Sequence, residues 1–235
     1  MRHPIRATAL IAATILVTGC GPGAAAVTAP SAAAAPAASS AASSLAYLDE
    51  MCGGSASSPC KAGTYQTRQF QPAFSVTVPD GWRISRLLRT FVGADETAVG
   101  IPLSQAKGEI VVTVPSSLEP SAPGETGKNV PTDLVAWLAA NKNLTLDAAK
   151  AVTIGGVSVQ QLDGIVAADA KVDAADGGAY RLSDYLLVKP GQHVRFAVLK
   201  IGGAQVVVAT VAPAADWDAF VKVADPVIAS LAWLS

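Results

Sequence analysis

The run "HVRFAVLKIGGAQVVVATVA" (193–212) limits what this chain can fold into more than any other stretch of it. Two strand-like segments, "HVRFAVLKI" (193–201) and "VVVATVA" (206–212), flank Gly202-Gly203, a pair suited to a tight turn. Side chains alternate between the two faces of a strand, so a run apolar at nearly every position has to be covered on both sides. The spacing therefore predicts a central strand of a sheet with packing layers above and below it.

Other segments supply the rest of such a sheet. "FSVTV" (74–78) alternates apolar and polar residues and ends at Pro79-Asp80-Gly81, which is turn chemistry. "TAVGIPL" (97–103) and "EIVVTV" (109–114) read as two more strands, joined through Lys107-Gly108. Residues 115–130 carry no apolar period and read as a long loop. "AYRLSDYLLV" (179–188) is strand-like, and "KPGQ" (189–192) predicts a hairpin turn from it into residues 193–201. "AVTIGGVSVQQLDGIVA" (151–167) is strand-like on both sides of Gly155-Gly156, and its apolar face changes between Val159 and Leu162, which predicts a bulge near Gln160.

Helical periodicity occurs twice. "TDLVAWLAAN" (132–141) places Leu134, Val135, Trp137 and Leu138 on one side, with Pro131 or Thr132 opening it. "DWDAFVKVADPVIASLAWL" (216–234) is amphipathic, with a kink or restart expected at Pro226 and Asp225 as a new cap. The expected class is α+β: an antiparallel sheet of about six or seven strands, packed by a mid-chain helix and a C-terminal helix.

The first 45 residues belong to no such fold. "MRHPIR" is a positive leader and "ATALIAATILV" (7–17) an apolar run too short to span a bilayer, which needs about 20 residues. Val17-Thr18-Gly19-Cys20 then resembles the bacterial lipobox, in which the cysteine thiol takes a diacylglyceryl group and the chain is cut before it. Residues 1–19 are thus expected to be a lipoprotein signal peptide and Cys20 the lipidated residue. Two acyl chains, palmitate among the usual ones, suffice for stable anchoring at about 0.8 kcal/mol per buried methylene. Residues 20–45, rich in Ala, Pro and Ser, form a tether, and 46–235 a single globular domain. As a flexible chain the tether would span about 25–30 Å.

With Cys20 lipidated, Cys52 and Cys60 remain as one pair around "GGSASSP". Export places them in an oxidising compartment, so a structural disulfide is expected. It would contribute about 2.5 kcal/mol in the chain-entropy account. Their spacing is not CxxC and no histidine lies near, which leaves a metal or redox role without its usual signature.

"FSVTVPDGW", "LVAWL", "VTIGG", the late hairpins and "FVKVADPVIASLAW", in this order, resemble the PsbP-like α/β sandwich. That family includes the extrinsic photosystem protein PsbP and several groups of bacterial lipoproteins, and the chain is also similar to lipoproteins of high-GC Gram-positive bacteria. The resemblance covers residues 70–234 and implies a fold. Its motifs are packing patterns and turns, so no catalytic residue travels with it.

Chemistry is sparse. The chain has 2 histidines, and His3 leaves with the signal, so a Ser-His-Asp triad would have to use His193, which sits at a strand start. "SQAK" (104–107) matches SxxK, but Gly108 follows where a helix should open, and its partner motifs are out of order. "APGETGKN" (122–129) departs from the P-loop at its first glycine and at its Ser/Thr. Asp163, Asp169, Asp173 and Asp176 miss calcium-loop spacing and read as a solvated acidic loop. Asp184, in phase with Leu182 and Leu186, needs a partner if buried, and Arg195 is the candidate.

The net charge of −1 becomes −3 once Arg2 and Arg6 are removed. With no basic stripe, nucleic-acid binding has no electrostatic basis. The expectation is a monomeric, non-enzymatic, lipid-anchored domain on the extracytoplasmic face of the cell membrane, without cofactor or metal. Its partners would be the membrane through Cys20 and an envelope protein or small ligand. The alternatives are an envelope hydrolase using a Ser/carboxylate site with His193, and a carrier of an apolar ligand held between sheet and helix.

Overall fold

The computed structural model describes residues 45–48, 59–84, 88–92, 95–105, 107–115, 118–119, 130–170, 180–182 and 186–234. All of them fall in one compact unit, Ser43–Ser235. The signal, Cys20, the tether up to residue 44, Cys52, Asp173, Asp176 and Asp184 lie outside the described residues.

Strands β1 (Ala46–Tyr47), β2 (Gly63–Gln66), β3 (Phe74–Val78) and β4 (Arg83–Ile84) come first, then β5 (Leu88–Val92), β6 (Asp95–Gln105), β7 (Gly108–Thr113) and β8 (Leu118–Glu119). Helix α1 (Leu134–Ala139) leads to β9 (Leu144–Leu146), β10 (Lys150–Ile154) and β11 (Val157–Val166). The short β12 (Tyr180–Leu182) and β13 (Leu186–Val188) precede the long β14 (Gln192–Ile201) and β15 (Ala204–Pro213). A 3-10 turn at Ala214–Asp216, helix α2 (Trp217–Ala229) and β16 (Ala232–Trp233) close the chain.

This is the expected α+β class: a mostly antiparallel sheet with a mid-chain and a C-terminal helix. Among the described residues the main sheet has nine strands, in the order β10-β11-β14-β15-β7-β6-β4. Beside that path, β9 pairs with β11 and β5 with β6. Two smaller sheets, β1-β2-β3-β16 and β13-β12-β8, pack beyond it. Several of the added strands have two or three residues, too few to show a period in sequence.

β15 is the central strand that its composition demands. Val206, Val208 and Ala212 enter one core with Ile110, Leu199, Phe220 and Val227. Val207, Ala209 and Val211 enter the other with Leu138, Leu162, Leu186 and Phe196. The two cores are the two faces of the main sheet. α2 covers the first with Phe220, Ala224 and Val227, all buried. The second lies under α1, through Leu134 and Leu138, and under β13, through Leu186 and Val188.

Four local expectations change. β13 does not form a hairpin with β14; it pairs back on β12, while β14 pairs with β11 and β15. The "KPGQ" turn redirects the chain between sheets, held by Gly191 N–H on Val166 O at 3.0 Å. β11 shows no bulge at Gln160: its register against β10 runs unbroken from Val157 to Gln161, and its pairing with β14 is regular from Gln160 to Ile165. Its apolar face changes because Val159 belongs to one core and Leu162 to the other. Helix α1 is capped by Asp133, whose Oδ1 accepts the Ala136 N–H at 2.9 Å, so Pro131 and Thr132 lie before it.

Finally, α2 continues through Pro226. That proline cannot donate to the carbonyl of Lys222, and both residues lie on the exposed side of the helix, where the loss is least costly. The helix ends at Ala229, and Ala232 and Trp233 pair with β3.

Candidate functional site

Because α1 is only six residues long, it cannot cover its whole face of the sheet. Beside its first turn, where β11, β14 and β15 run toward their turns, lies a cleft of about 540 Å³. Thr132, Ser158, Gln160, Val198, Lys200 and Gln205 are among its lining residues. Ser158 and Gln160 are exposed although they are in phase with buried Leu162 on the same strand face; the polar-to-apolar change along β11 marks where the cover begins. Gln205 Nε2 donates to Pro131 O at 2.9 Å, tying the floor of the cleft to the segment entering α1. Hydroxyls, carboxamides, the Lys200 ammonium and the Asp133 carboxylate on an aliphatic base suit the binding of a neutral polar group.

On the opposite face, β14 places Arg195 directly across from Asp163 on β11. Arg195 Nε donates to Asp163 Oδ1 at 2.9 Å, and its NH1 reaches Asp225 Oδ1 of α2 at 2.6 Å. Lys150 Nζ lies 3.9 Å from Asp163 Oδ2, and the guanidinium sits 5.6 Å from the centre of the Trp217 ring. Arg195 and Asp163 are 16% and 17% exposed, which removes much of the solvent screening that weakens surface pairs. This cluster pins α2 to the sheet. Asp163 is therefore a strand residue in an ion pair, not part of a solvated acidic loop. Asp225 holds Arg195 instead of capping a restarted helix. Among the described residues no group of three His, Cys, Asp or Glu is placed to hold a metal.

His193 follows the same strand face as Arg195. Its ring lies 5.3 Å from that of Trp217, and it is not among the residues lining the cleft. The serine of "SQAK", Ser104, lies on β6 paired with Glu109 of β7, not at the start of a helix. Cys60 is 3% exposed, and its N–H donates to Trp82 O at 2.7 Å. The cleft is what sequence reasoning missed. The signal available for it was the run of polar residues at Ser158 and Gln160 on an otherwise core-facing period.

No known family's sequence profile matches the chain, and no curated protein matches it. Among solved structures it is similar to cyanobacterial PsbP (CyanoP) from Synechocystis sp. PCC 6803, with 14% identity, a TM-score of 0.39, and coverage of 78% of this chain and 97% of that one. It is also similar to LpqN of Mycobacterium tuberculosis, described as involved in cell envelope biogenesis. There the identity is 14% and the TM-score 0.33, over 76% of this chain and 90% of that one.

Proposed function

We propose that the chain is a lipoprotein anchored through Cys20 to the extracytoplasmic face of the cell membrane, where its domain binds a partner of the envelope and catalyses nothing. The address rests on Val17-Thr18-Gly19-Cys20 directly behind the apolar run 7–17. The binding role rests on one observation: the single histidine left after removal of the signal lies in a tilted contact with Trp217, ring centres 5.3 Å apart, across the sheet from the cleft. A hydrolase built on that cleft would lack the usual general base. A carrier is less favoured, since Phe220, Ala224 and Val227 fill the space between α2 and the sheet. Cys52 and Cys60 complete the proposal as a disulfide that ties the domain's first strands.

The address is tested by intact mass spectrometry of the protein purified from membranes of its host. A mass equal to residues 20–235 plus diacylglyceryl, less two hydrogens, is expected, and an unacylated chain overturns the anchor. For the role, a photo-crosslinking residue is placed at Ser158 in intact cells and compared with one at Lys222 on exposed α2. A discrete adduct from Ser158 alone is expected. Equal labelling from both, or none from Ser158, overturns binding at the cleft.

A further inference from the structure

The cleft beside α1 holds two opposite charges that do not meet. Asp133, at the head of α1, and Lys200, near the end of β14, both line it, and both are exposed. Neither belongs to an ion pair among the described residues, although opposite charges in one small cavity attract. The fold keeps them apart. Asp133 Oδ1 accepts the Ala136 N–H at 2.9 Å as the cap of α1, which holds the carboxylate on the helix. Lys200 stands on the sheet, directly opposite Gln205 of β15.

Their placement is braced from both sides. Gln205 Nε2 donates to Pro131 O at 2.9 Å, so the strand pair that carries Lys200 is tied to the segment that carries Asp133. Asp133 Oδ2 accepts no hydrogen bond among the described residues. One carboxylate oxygen and one ammonium are therefore open to a ligand at the same time. The same cleft presents Ser158 and Gln160, both exposed on β11, and the half-buried Val135 and Val198.

We propose that the cleft takes a short peptide with both ends free, a di- or tripeptide of small residues, its ammonium on Asp133 Oδ2 and its carboxylate on Lys200 Nζ. The proposal rests on the cleft being the domain's binding site and names what it binds. A ligand with separated opposite charges complements a site of the same kind, whereas an anion or a cation meets one repulsive group for each attractive one. Amide groups between the two ends suit Ser158 and Gln160, which both donate and accept hydrogen bonds. Small side chains suit Val135 and Val198. The volume of about 540 Å³ lies within the roughly 300–1,000 Å³ of small-molecule sites.

The test is an NMR titration of the full chain, in the form its host exports and in a non-ionic detergent, with alanyl-alanine, its N-acetyl form and its C-terminal amide. Alanyl-alanine is expected to shift the Ser158 and Gln160 amides in a saturable way. Each blocked form should bind about three- to tenfold more weakly, as the loss of one charge-assisted bond at an exposed group requires. Two variants separate the ends. Asp133→Asn keeps the cap, since Asn caps a helix as well as Asp does, and should erase the penalty for acetylation alone. Lys200→Gln should erase the penalty for amidation alone. Penalties that survive in both variants, or shifts that bypass Ser158 and Gln160, overturn the proposal. No shift with any probe, beside a discrete adduct from the crosslinker at Ser158, overturns the peptide and leaves the cleft as the site. No shift and no adduct overturns both.

Discussion

The two faces of the main sheet use the same strands and come to different ends. On one, a thirteen-residue helix and the β1–β3 sheet enclose a core that includes Trp82, Phe74 and Phe220, with Trp82 and Phe74 fully buried. An ion-paired arginine then fixes the helix to the strands. On the other, a six-residue helix and short strands cover part of the sheet and leave a cleft at its end. The difference teaches that β15 can be buried on both sides without both sides being closed. Where the second cover stops, positions in phase with the core become Ser158, Gln160 and Lys200.

The sharpest way to break this comparison is to remove one anchor from each face. Phe220→Ala should cost about 3–5 kcal/mol, whereas Leu138→Ala, under a short helix that can settle into the gap, should cost about 2–3 kcal/mol. Urea denaturation of both variants checks the order, and a larger loss for Leu138→Ala would reverse the reading. Next, Arg195→Met keeps the stem but leaves Asp163 with only the Gln161 amide and the more distant Lys150; a loss of about 2 kcal/mol is expected. Its signature is a faster amide exchange confined to α2.

On the open face, Asp133→Ala removes the cap of α1 and should cost about 1 kcal/mol. Because Thr132 and Asp133 line the cleft, the same variant should also loosen the amides of 134–139. The smallest effect belongs to Lys107→Ala. Its pairing with Asp216 is solvent-exposed, Lys107 at 71%, so melting should move by an amount equivalent to less than about 0.5 kcal/mol. A loss as large as that of Arg195→Met would mean that exposure does not separate the two ion pairs.

Much of the architecture was legible beforehand. "VVVATVA" required a strand covered on both sides, and the spacing of Phe220, Ala224 and Val227 required a helix with one buried face. The strand "FSVTV" has the buried alternation its sequence predicts. What misled was local inference across turns. "KPGQ" looks like a hairpin connection, yet the strands on either side of it pair with β12 and β11. The shift of apolar phase near Gln160 looks like a bulge, yet it records two different covers over one regular strand.

By itself, then, the sequence determined the alternation of the strands and the amphipathic C-terminal helix, because each depends on neighbours a few residues apart. The tertiary structure alone decided the clamp and the cleft. Arg195 meets Asp163 and Asp225 from 32 and 30 residues away, a pairing set by strand register and by the seating of α2. No local pattern encodes that register. The cleft is carried by no motif either: it exists because α1 begins short of the end of the sheet beneath it.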